Sequence, residues 1–123
     1  MKVYISGKIG EEVLSEATRE KFDRAEAMLR GQGHRVFNPT RSGLGKVADK
    51  AVRKMARKGL EVSWYSEILL LDLTVLMGCD AIYMLPDWKD SPGARAELAY
   101  AEAVGKQVFE EQALVEAEGK VTI

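Results

Sequence analysis

Cysteine occurs once in the 123 residues, as Cys79, and histidine once, as His34. One thiol excludes an internal disulfide, and one thiol with one imidazole is too few for a structural zinc site. No metal and no cofactor is expected, and a reducing cytoplasm is the expected setting. Charge of either sign is not in excess: the net charge is -1, so the chain is not a broad nucleic-acid binder. No apolar run approaches the ~18 residues of a membrane span, and the chain enters a strand pattern at once, so neither a membrane helix nor a signal peptide is expected. Proline occurs only three times, at Pro39, Pro86 and Pro92, and each one punctuates the pattern rather than interrupting an element.

Hydrophobic residues make up 46% and charged residues 30%, a balance suited to one domain, 1–123, with one soluble surface. Lys2–Ser6 reads as a strand, followed by a loop with two glycines, Gly7-Lys8-Ile9-Gly10. A glycine-bearing loop between a strand and a helix can bring backbone N–H groups to a phosphate, although Gly-x-x-Gly is equally an ordinary tight turn. Ser15–Arg30 has an apolar stripe (Ala17, Phe22, Ala25, Met28, Leu29) and reads as a helix stopped by Gly31-Gln32-Gly33. His34–Phe37 is a second strand, and its start is a poor place for a catalytic histidine. Asn38-Pro39 is a turn, and the connection from Asn38 to Leu44 is where a flap over a site would sit.

Arg41–Lys58 is basic. Lys46, Lys50, Arg53 and Arg57 share one helical face, which is ordinarily a solvated face and otherwise an attractor for anions. Glu61–Met77 is a helix too apolar for one buried face. It predicts burial on two sides, against the sheet and against something else, with a second copy of the chain the natural candidate. Asp72 is the carboxylate inside it, which must pair, cap or do chemistry. Lys106–Phe109 reads as a fourth strand. An acidic tail follows, and Val121–Ile123 is a candidate edge strand.

The most informative stretch is Cys79–Ala101. Ala81–Leu85 is a gapless apolar run, suited to a strand covered on both faces, with Cys79 before it packing as a small hydrophobe. Ser91 is a good N-cap, and Pro92 fits the first helical position, where its missing N–H costs nothing. Gly93 and Ala94 keep the first turn slim. Glu97 then sits among small residues.

The alternation of strands and helices predicts a three-layer, doubly wound α/β domain of flavodoxin or Rossmann type. Its parallel sheet should have the order second, first, third, fourth strand. Ligands of such sheets bind beyond the carboxyl ends of the strands, where the winding reverses. Here that crevice lies between the first and third strands, near Tyr4, Gly7, Asp90, Ser91 and Glu97. Asp72 reaches it only from the part of its helix away from Gly78.

These residues resemble the nucleoside 2-deoxyribosyltransferase-like family over Tyr4–Val108. The matching parts are Tyr4-Ile5-Ser6-Gly7, Gly33–Pro39, Asp72 on the helix before the third strand, Cys79–Tyr83 and Asp90–Glu97. Leu85-Pro86-Asp87-Trp88 and the Ser91–Glu97 run are typical of a short, poorly characterised branch. The resemblance implies cleavage of the N-glycosidic bond of a nucleoside or nucleotide, with transfer to water or another base, by a homo-oligomer. Carried over position by position, Glu97 is the nucleophile, Tyr4 holds it, and a carboxyl protonates the leaving base. Asp72 and Asp90 are the candidate donors, with Asp87 a competitor. Ser6, Gly7, Lys8, Trp88, Ser91 and Gly93 fall to substrate binding, with Ser91 and the Ser6–Gly10 backbone near a 5′-phosphate or 5′-hydroxyl. A non-catalytic nucleotide-binding or sensing module of the same fold is the alternative. A Glu97 screened from water beside a hydroxyl separates the enzyme from the module.

Overall fold

The computed structural model describes residues 1–10 and 13–123. Four parallel strands, β1 (Lys2–Ser6), β2 (Arg35–Phe37), β3 (Ala81–Met84) and β4 (Gln107–Glu110), form one sheet in the order β2-β1-β3-β4. The helices are α1 (Glu16–Gly31), α2 (Leu44–Arg57), α3 (Trp64–Met77), α4 (Pro92–Ala103) and α5 (Glu111–Glu118). β1 and β3 are central, pairing Val3 with Ala81 and Ser6 with Met84, and both are buried throughout apart from Lys2. This is the three-layer α/β arrangement that the alternation of strands and helices predicts, with the winding reversing between β1 and β3.

Strand alternation divides the core. Val3, Ile5, Ala81, Tyr83 and Leu85 face α1, where Phe22, Ala25 and Leu29 meet them. Tyr4, Ile82 and Met84 face the other way and pack with Leu76 of α3 and with Ala94 and Ala101 of α4. Cys79 packs in this second cluster, at 2% exposure. Ser91 caps α4 as expected, accepting from the N–H three residues on, and Ser15 and Ser63 do the same for α1 and α3.

α2 packs along α3 and covers part of it, while a strip including Leu70 and Met77 stays 60% and 59% exposed. Two expectations are corrected. The Asn38–Leu44 connection is pinned rather than free to flap. Asn38 is buried, accepts from the Thr40 N–H at 3.0 Å and donates to Asp23 and Glu26. Arg41, the first residue of the basic stretch, lies in a 3₁₀ turn (Pro39–Arg41) and pairs with Asp23.

The second correction concerns the C-terminus. The acidic tail contains α5, closed by Gly119 at φ +73°, a conformation that suits glycine. Residues 121–123 form no strand. Gln32 donates to the Val121 carbonyl at 2.8 Å and accepts from the Ile123 N–H at 2.9 Å, so side chains satisfy this backbone and a sheet edge does not. His34 belongs to the same junction, 2.9 Å from the Ile123 carbonyl oxygen, and its role there is structural.

Candidate active site

The site is assembled where β1 ends and α4 begins. Tyr4 and Ser6, two apart on β1, point to the same side of the sheet. On α4, Glu97 lies six residues beyond the Ser91 cap, in the second turn, and points back at them. It is buried, with 6% of its surface exposed. Tyr4 donates from its hydroxyl to Glu97 Oε2, and Ser6 donates from Oγ to Glu97 Oε1 at 2.7 Å. Each carboxylate oxygen therefore has its own hydroxyl donor. The Tyr4 ring is stacked on Phe37, with centroids 5.2 Å apart, which fixes the direction of its hydroxyl.

This carboxylate opens onto a cavity of about 480 Å³. One wall is the loop after β1, with Gly7, Ile9 and Gly10; another is the start of α4, with Ser91, Pro92 and Gly93. The third is α3, whose Trp64, Tyr65, Ile68 and Leu69 give an apolar surface, and Asp72 lies one turn further on. Gly7 is required by close approach: a Cβ there would lie 2.8 Å from Leu85 Cδ1, inside contact distance.

Burial is the largest influence on both acids. It pushes Glu97 up to about 7, against the two hydroxyl bonds that favour the charged form. Burial, then the neighbouring Glu97, pushes Asp72 up to about 8, with Tyr4 partly offsetting this. Burial and the nearby carboxylates hold the Tyr4 phenol well above its ordinary range, so it remains a donor. The pair titrates together. Glu97 has two hydroxyl donors and so ionises first, while Asp72 keeps its proton near neutral pH.

Of the residues singled out in the sequence, Glu97, Tyr4, Ser6, Asp72, Gly7, Ser91 and Gly93 come together here. Three others do not line the cavity among the described residues. Asp90 is exposed at the end of a 3₁₀ turn (Trp88–Asp90). Trp88 packs beside the α4-side core, and the Lys8 side chain is exposed. Asp87, the third competitor for the acid role, is engaged by Lys21 at 2.5 Å and by the Lys8 N–H at 3.0 Å. Burial raises its pKa, but these bonds outweigh that and hold it below the usual carboxylate range. Asp72 is left as the acid that faces the cavity beside Glu97.

The sequence reading missed the wall formed by Trp64, Tyr65, Ile68 and Leu69. At helical spacing these residues look like any buried helix, and only the position of α3 over the carboxyl ends of β1 and β3 gives them a cavity to line. Among the described residues no group of three or more His, Cys, Asp or Glu is arranged to hold a metal ion. No described helix is long and apolar enough to cross a membrane.

The region that builds this site coincides with a family match. The model of a family described as a domain of unknown function, DUF4406, matches residues 1–110, which include all four strands and every residue of the site. The chain belongs to the DUF4406 family.

Proposed function

We propose that the cavity is the active site of an N-glycosidase or 2-deoxyribosyltransferase acting on a nucleoside or nucleotide. The observation that carries this reading is the buried Glu97, gripped by the Tyr4 and Ser6 hydroxyls beside a second buried carboxyl, Asp72. In the reaction, a Glu97 oxygen attacks the anomeric carbon as the carbon–nitrogen bond breaks. The electron pair of that bond leaves with the base, and the Asp72 carboxyl supplies the proton the base nitrogen needs. The product on the protein is a glycosyl ester of Glu97. Water or a second base then attacks the same carbon, Glu97 leaves as carboxylate, and Asp72 recovers a proton from the attacking group.

The surroundings suit that chemistry. The cavity volume of about 480 Å³ is within the usual range for small-molecule sites. Trp64 and Tyr65 offer ring faces for a base, and Ser91 and Gly93 offer polar backbone and hydroxyl groups for a sugar. The ordering of the two acids also supports the assignment, because the nucleophile must be charged while the donor is protonated. A Glu97 screened from water favours the enzyme over a binding module of the same fold. The resemblance adds a homo-oligomer, and the lone buried thiol suits a cytoplasmic setting.

The test is base release. The protein is incubated with nucleosides, 2′-deoxynucleosides and their 5′-monophosphates, and free base is separated by chromatography, with Glu97→Gln alongside. Release by the wild type and not by the variant is expected. Binding without release from any substrate would transfer the reading to the module.

A further inference from the structure

The loop that leaves β1 is fastened from behind. The Lys8 N–H donates to Asp87 Oδ1 at 3.0 Å, and the Lys8 carbonyl accepts from Lys21 Nζ at 2.5 Å. Lys21 Nζ also donates to Asp87 Oδ2 at 2.5 Å. Three elements thus close a ring: the loop after β1, the loop after β3, and the second turn of α1. Each oxygen of Asp87 takes one of these bonds, and one ammonium serves both loops. This ring lies by α1, on the side of the sheet opposite the cavity.

The fastened loop crosses from one side to the other. Ser6, two residues before Lys8, holds Glu97, while Gly7, Ile9 and Gly10 form a cavity wall. Gly7 rests against Leu85, as close as the absence of a Cβ allows, so the loop cannot move inward. Outward movement is opposed by the Lys21–Asp87 ring.

We infer that Lys21 and Asp87 are positioning residues for the candidate active site, clamping the loop after β1 so that Ser6 stays on Glu97 and the Gly7–Gly10 wall stays in place. The kinetic part of this inference rests on the proposed reaction, whereas its structural part is tested without a substrate.

The experiment is nuclear magnetic resonance on the ligand-free, labelled chain, comparing wild type, Lys21→Met and Asp87→Ala. Arg24→Met is the control, since on the same helix it removes, among the described residues, a surface pair with Glu20. Two quantities are read: hydrogen exchange at the Lys8 amide and the titration midpoint of the Glu97 carboxyl. Both clamp variants should speed Lys8 exchange by roughly tenfold or more. They should also raise the Glu97 midpoint by about half a unit or more as the Ser6 bond loosens. The control should move neither, which separates positioning from general loss of stability. Should Asp87→Ala fail to fold, Lys21→Met carries the test, because methionine is nearly as long as lysine and removes chiefly the ammonium, which lies 5.6 Å from the Phe22 ring centroid. Unchanged exchange or an unchanged Glu97 midpoint in Lys21→Met would overturn the clamp. In the base-release assay, kcat/KM should fall about tenfold in both variants, mainly through KM. Wild-type kcat and KM would overturn the positioning role, and a wild type that releases no base would fail the proposed reaction while exchange and titration still decide the clamp.

Discussion

Replacing Tyr4 with Phe isolates one hydroxyl in a buried site. Tyr4 is fully buried, its ring stacks on Phe37, and its hydroxyl donates to Glu97 Oε2. Phenylalanine keeps the ring and its stacking, so the change removes the donor and little else. A hydrogen bond to an ionised acceptor is worth about 1.5–3 kcal/mol. At ~1.4 kcal/mol per pKa unit, that raises the Glu97 midpoint by roughly one to two units above its value of about 7. The ionised fraction at pH 7 then falls from about a half to between about 1% and 10%, so the rate should fall about 5- to 50-fold there. The acid limb of the pH–rate profile should move upward by the same one to two units. It then runs into the alkaline limb set by Asp72 near 8, so the profile narrows and its maximum drops. Carbon-detected titration of Glu97, with base release followed from pH 6 to pH 9, measures both effects. A Glu97 midpoint that stays put or falls in Tyr4→Phe, or a pH 7 rate within about twofold of wild type, would refute the reasoning.

Other consequences follow from the same geometry. Asp72→Asn should slow base release by about 10²- to 10⁴-fold and abolish the alkaline limb, with a smaller loss for substrates whose base leaves without a proton, as a leaving-group series would show. Stability should rise as pH is lowered from about 8 towards 4.5. The folded-state pKa values of Glu97 and Asp72 lie above their unfolded values, so their contribution is fully present below the unfolded values and is lost as pH climbs through about 7 and about 8. The Glu97 shift alone, from 4.5 to about 7, corresponds to about 3 kcal/mol in all, of which about 2 kcal/mol falls between pH 5.5 and pH 8 and is readable as a higher urea midpoint at pH 5.5. Gly7→Ala should cost about 1–3 kcal/mol in urea unfolding, because its Cβ would fall 2.8 Å from Leu85; a neutral effect would mean that the loop is not held at that distance.

Much of the architecture is written in local pattern. The gapless run Ala81–Leu85 suits a strand buried on both faces of a parallel sheet, and the alternation of strands and helices gives the doubly wound order in which β1 and β3 are neighbours. That adjacency brings Tyr4 and Ser6 to Glu97, since strand alternation and the Ser91-Pro92 helix start determine which way each side chain points. The identity of the acid was not legible. Asp72, Asp87 and Asp90 are alike as sequence; one lines a cavity, one is bound by Lys21, and one is in solvent. Only the packing of α3 and the long-range Lys21–Asp87 contact separate them. The tail was misread for a similar reason. Val121 and Ile123 look like an edge strand, but the Gln32 side chain satisfies their backbone instead, and no local signal announces a partner so far away in the chain.

The central claim is a covalent sugar on Glu97. The direct measurement is the mass of the protein quenched in acid during turnover of the best substrate, followed by peptide mapping. The account predicts one added glycosyl group, released by alkali, on the peptide that contains Glu97, and none in Glu97→Gln. Base release proceeding without any adduct, or with the adduct on another residue, would contradict it.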